Sequence, residues 1–100
     1  MAAILTSAAP ARAADTVIEV MVANHLFEPA HVIVEPGTTV RWVNREKRSS
    51  HSVYFTGEAA FESPRFFPGE SWSHRFEQAG SHVYQCGPHP EMRGRVLVAP

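Results

Sequence analysis

From Thr16 onward, apolar and polar residues alternate with a period of two in short runs, and Gly, Pro and Asn separate one run from the next. The alternation is clearest over Thr38–Asn44, where Val40, Trp42 and Asn44 interleave with Thr39, Arg41 and Val43. Successive side chains of a strand point to opposite faces, so this is the pattern of a β-strand with one face buried. Thr16–Val22 is β-branched and apolar, His31–Glu35 follows the turn-prone Glu28-Pro29, and Pro36-Gly37 reverses the chain into Thr38. Beyond the charged loop Arg45–Arg48, strand signals recur over Ser52–Phe55, Glu70–Phe76, Ser81–Cys86 and Arg93–Val98. The Gly57–Ser63 stretch has room for about one turn of helix and no more. About seven short strands at this spacing predict an all-β sandwich of two sheets.

With 100 residues the chain has material for one core and not for a second, catalytic domain. We place that domain at residues 15–100. Residues 1–14 are Ala-rich, carry no strand or turn signal and end near Ala11-Arg12-Ala13, a small-x-small pattern of the kind signal peptidases cut. No Lys or Arg precedes the apolar stretch Ala2–Ala9, so the segment reads as the remnant of a signal peptide or as a disordered tail. The first reading makes the protein exported and periplasmic. Nine Lys+Arg against ten Asp+Glu leave it near neutral, which gives no electrostatic reason to expect a nucleic-acid or anionic-membrane partner. No apolar run approaches the roughly 20 residues that span a bilayer, so membrane insertion is not expected.

The single cysteine changes the picture. A lone thiol in an exported chain is open to oxidation unless something occupies it, and the six His and three Met supply company for a metal. Cys86-Gly87-Pro88-His89-Pro90-Glu91-Met92 packs three donors into one tight C-x2-H-x2-M loop between two predicted strands. Thiolate and thioether favour reduced copper and imidazole suits both oxidation states; two His and one Cys with a weak axial Met form an electron-transfer copper site. Zinc fits less well, because structural zinc sites seldom use Met and usually draw on several Cys. A nucleophilic Cys–His pair remains open from the loop alone, although no adjacent Asn or Asp would orient it and Pro flanks His89 on both sides.

Phe27-Glu28-Pro29, the run Pro36-Gly37-Thr38-Thr39-Val40-Arg41-Trp42-Val43-Asn44, His51-Ser52-Val53, Pro68-Gly69-Glu70 and Ala79 to Cys86 together resemble the plastocyanin/azurin family of cupredoxins. The amicyanin branch is nearest and the pseudoazurins next. The resemblance implies a Greek-key two-sheet β-sandwich of about seven to eight strands, with one copper ion held at one end by His51, Cys86, His89 and Met92. It implies a type 1 (blue) copper carrier that cycles between Cu(I) and Cu(II) and is not an enzyme. Its partner would be a c-type cytochrome or a periplasmic dehydrogenase or reductase, met as a monomer. A periplasmic copper-handling or delivery protein on the same fold is the alternative.

Ser52 departs from the family, whose amicyanin-like members commonly carry Asn there to tie the two ligand loops; the shorter hydroxyl can make one such bond. Pro88 lacks the N–H that some relatives direct at the sulfur. His25, His31, His74 and His82 have no partner at ligand spacing and are left outside the site. Trp42 and Trp72 read as core aromatics, and Arg41, Arg45, Lys47 and Arg48, offset by Glu46, as solvated loop charge with partner docking as a second use. His89 is expected at the surface within an apolar patch of Pro88, Pro90 and either Phe66 or Phe67.

Overall fold

A computed structural model describes residues 16–100. The export reading falls on residues 1–14, outside the described residues. Nine strands form two sheets among those described: β1 (Val17–Ala23), β2 (Leu26–Glu28), β3 (His31–Val34), β4 (Thr38–Asn44), β5 (Tyr54–Phe55), β6 (Phe61–Glu62), β7 (Ser71–Phe76), β8 (Gly80–Gln85) and β9 (Arg93–Val98). One sheet runs β2-β1-β4-β7 and the other β3-β9-β8-β5-β6. β1 lies parallel to β4 and β3 parallel to β9, while every other pairing is antiparallel.

The seven expected strands are present, and two short ones join them. β2 arises because Asn24 and His25 both adopt positive φ (53° and 56°), making a two-residue reversal whose twist suits a hairpin. β6 stands where the sequence left room for a helical turn: Phe61 and Glu62 pair with Phe55 and Tyr54 instead. An extended backbone there places the Phe61 ring on Phe55 at 4.9 Å between centroids.

The two sheets close on Val20, Val22, Val34, Val40, Val96 and Val98, with Phe27, Phe55, Phe76 and Tyr84 completing the layer. Trp42 is fully buried and meets Tyr84, Trp72, Phe55 and Phe76 with ring centroids 5.3–6.3 Å apart. Burial of Trp42 and partial burial of Trp72 match their reading as core. At the far end of β4, Asn44 is also buried and organises the connections beyond it. Its Nδ2 donates to Ser49 O (2.9 Å) and Phe66 O (3.0 Å), and its Oδ1 accepts from Glu46 N (2.8 Å). One amide thus fixes both the loop that leads to His51 and the segment that passes over it.

Candidate metal centre

His51 follows the loop pinned by Asn44, and its backbone is locked on both sides by bonds with Phe66: His51 N to Phe66 O at 3.1 Å and Phe66 N to His51 O at 2.9 Å. Its imidazole is fully buried, and Nε2 lies 3.2 Å from Oε1 of Glu46. A carboxylate can only accept, so Nε2 carries the proton and Nδ1 presents its lone pair. Burial pushes the His51 pKa down against the pull of Glu46. A neutral imidazole, ready to ligate, is the outcome.

Cys86 ends β8 and is also fully buried. The chain then folds back on itself: Cys86 N donates to Met92 O (3.0 Å) and Met92 N donates to His89 O (2.9 Å), which closes the loop into a small hydrogen-bonded ring. Burial pushes the Cys86 thiol pKa up, while backbone N–H groups of Ser52 and His89 directed at the sulfur, and the Arg65 charge, pull it down.

Donor atoms of His51, Cys86 and His89 all lie within 4.8 Å of one another. Sγ of Cys86 is 3.5 Å from His51 Nδ1 and 3.7 Å from His89 Nδ1. Sulfur and nitrogen donors bound at ordinary lengths to one transition-metal ion, at tetrahedral to trigonal angles, sit about 3.6–3.8 Å apart. Both sulfur–nitrogen sides of the triangle are close to that spacing, and its set of two imidazole nitrogens and one thiolate sulfur is the one that suits copper. Met92, the last residue of the same loop, is buried, and His89 is half-buried, reaching the surface beside Pro88 and exposed Pro90. Of the two phenylalanines considered for that patch, Phe67 is exposed and Phe66 belongs to the core.

The structure also brings in residues that sequence reasoning passed over. His25, left outside the site, sits on the rim with its ring edge-on to His89 (4.7 Å) and to His51 (5.6 Å). Its backbone N donates to Glu46 at 2.8 Å. Glu46 is not a loop charge: it turns inward to hold both histidines. Burial raises its pKa, but the bonds from His25 and His51 outweigh that and leave it low. The one available signal was a lone acid among Arg45, Lys47 and Arg48, five residues before His51. Arg41 leaves the basic cluster as well, since it faces Glu19 across β1 and β4 at 3.5 Å. Arg65 donates to Ser50 Oγ (3.1 Å), next to the His51 ligand candidate in sequence. A pocket of about 630 Å³ lined by Phe55, Phe61, His74, Phe76 and His82 lies apart from all four predicted ligands.

A β-sandwich with buried soft donors clustered at one end is the architecture of a copper protein. Residues 14–99 match a sequence model described as copper binding proteins, plastocyanin/azurin family. The chain belongs to that family. Amicyanin of Paracoccus denitrificans is 40% identical over 94 residues, covering 90% of this chain and 71% of that protein. Plastocyanin of Scenedesmus fuscus is 33% identical over 84 residues, covering 73% and 86%. A solved oxidized amicyanin variant superposes with a TM-score of 0.78 at 38% identity, covering 84% of this chain and 83% of the other. A reduced Cu(I) form of another amicyanin variant gives 0.77 at 37%, covering 93% and 94%. No helix among the described residues is long and apolar enough to cross a membrane.

Proposed function

We propose that His51, Cys86, His89 and Met92 hold one copper ion and that the protein carries single electrons between redox partners without catalysing a reaction of its own. The observation that carries this reading is the triangle of His51 Nδ1, Cys86 Sγ and His89 Nδ1, already spaced for one ion. Bound copper supplies a reversible one-electron couple at such a ligand set. The chain supplies everything that keeps the change in charge cheap in structure. His51 is fixed by its backbone bridge to Phe66 and its side-chain bond to Glu46, so its ring has nowhere to turn. Cys86 and Met92 are excluded from water and tied to each other through the backbone. Half-exposed His89 is the short path from this enclosed set to the surface, and Pro88 and Pro90 stiffen the loop that carries it. With four donors committed and three of them buried, no side is left for a substrate.

The partner is a c-type cytochrome or a periplasmic dehydrogenase or reductase, and the working unit is residues 15–100 as a monomer after export. The periplasm fits the Ala-rich residues 1–14, read as the remnant of an export signal. Copper delivery, the other use of such a fold, calls for exchangeable ligands, and burial of His51, Cys86 and Met92 disfavours it. Voltammetry of the copper-loaded protein together with copper release to a chelator tests the choice. A reversible one-electron wave with slow release is expected. Release as fast as transfer between delivery partners, with no reversible wave, would replace the carrier with the delivery protein.

A further inference from the structure

We propose that Ser52 and Glu62 are positioning residues, a two-residue clamp that ties the Cys86–Met92 loop to the His51 segment through the backbone of Gly87; the inference rests on the copper ligation proposed above. Ser52 follows His51 directly and is fully buried. Its Oγ lies 2.6 Å from Glu62 Oε2 and 3.0 Å from Gly87 N. The polarity of this chain is forced. A carboxylate only accepts, so the Ser52 hydroxyl proton goes to Glu62; an amide N–H only donates, so Gly87 bonds to the oxygen left facing it. Without Glu62 the hydroxyl would be free to rotate its proton toward other acceptors. With it, the charged end polarises both bonds, and such bonds are shorter and stronger than neutral ones.

Glu62 is itself delivered by a fixed backbone. Phe61 and Glu62 pair with Phe55 and Tyr54. Ser63 then donates its N–H to Val53 O (2.9 Å) and accepts Val53 N–H on Oγ (2.9 Å). Three residues on, Phe66 bridges His51. Residues 61–66 therefore run as a strap alongside residues 51–55, and the carboxylate reaches across from its middle. Gly87 marks the tightness of the contact: a Cβ at that position would fall onto the Glu62 carboxylate and the Ser52 hydroxyl. Gly87 is the residue after Cys86, so fixing its peptide fixes the direction in which the sulfur leaves the backbone. Ser52 therefore holds the thiolate-bearing segment through its side chain.

Amide hydrogen exchange of the metal-free protein reads the clamp whether or not copper binds as proposed, while the visible spectrum of the loaded wild type reads the ligand assignment separately. Glu62→Ala and Ser52→Ala are expected to speed exchange at Gly87 by about 10-fold, leaving β4 and β8 protected. Copper affinity should fall by about 10-fold to 100-fold, as for other partners of metal ligands. Glu62→Gln keeps an acceptor and should leave Gly87 protected while raising the potential, because it removes a negative charge near the sulfur. Ser52→Asn placed in the Glu62→Ala background should restore protection, since its amide oxygen can accept from Gly87 unaided. Unchanged Gly87 exchange in both alanine variants would overturn the proposal. Equal loss of protection at Gly87 and throughout β8 would overturn it too, by making the two residues part of the general fold.

Discussion

Met92 is 2% exposed, and its backbone closes the loop on both Cys86 and His89. Removing a weak axial donor takes electron density from the metal and so leaves Cu(II) the less satisfied state, and Met92→Leu is expected to keep the colour of thiolate-bound copper and raise the potential. Loss of copper from that variant, measured by metal analysis, would show that Met92 is a principal ligand. Trp42 has the opposite kind of importance. It bridges the two sheets and should cost about 3–5 kcal/mol as Trp42→Ala, read by urea unfolding of the metal-free protein. Cys86, His89 and Met92 were legible as candidate donors because they lie within seven consecutive residues, where spacing alone speaks, and the fold gathers Cys86 and His89 with His51. His51 came from resemblance, being 35 residues away from the cysteine it faces. Glu62 and His25 were not legible, and Glu46 only as a lone acid among cations, because each reaches the centre through a tertiary contact.

Among the elements, the strands with alternating or continuous apolar runs could be read directly, and β4 most easily, since its buried positions Thr38, Val40, Trp42 and Asn44 recur every second residue. β2 and β6 have three and two residues, too few to show a period. Their existence is decided by partners: β1 through the Asn24-His25 reversal, and β5 through the strap over His51. β7 carries a testable feature of its own. His74 stacks on Trp72 (5.5 Å, 13° between planes) and is surrounded by Phe55, Phe61 and Phe76. Burial pushes its pKa down, and the nearby charge of His82 adds to this. In the unfolded chain His74 titrates near the ordinary value of about 6.5, so below that pH the unfolded state takes up the proton first. Stability should therefore be flat above about pH 6.5 and fall as the solution is acidified, with the full loss reached below the folded pKa. The slope in unfolding free energy between wild type and His74→Phe, compared in the metal-free protein from neutral to mildly acidic pH, should differ in this sense. Parallel curves would mean that His74 is protonated as easily folded as unfolded.

At the scale of the whole molecule, a net charge of −1 gives no general attraction to any partner, so steering must be local. Arg45, Lys47 and Arg48 are exposed next to the ligand end, while Glu46, the acid between them, is turned inward. Replacing the three cations with neutral residues is expected to slow association with a redox partner and flatten its dependence on salt, leaving the potential in place. Stopped-flow rates across ionic strength would check this, and unchanged rates would return the cluster to plain solvation. The sandwich gathers His51, Cys86 and half-exposed His89 at one end, with buried Met92 closing the loop, and the sulfur of Cys86 is the part on which the proposed assignment turns. The visible absorption spectrum of the copper-loaded protein, taken beside that of Cys86→Ser, tests it most directly. Intense thiolate-to-Cu(II) absorption in the wild type, absent from a folded Cys86→Ser protein, is the expected result. A colourless wild type with copper bound, or a blue Cys86→Ser variant, would contradict it.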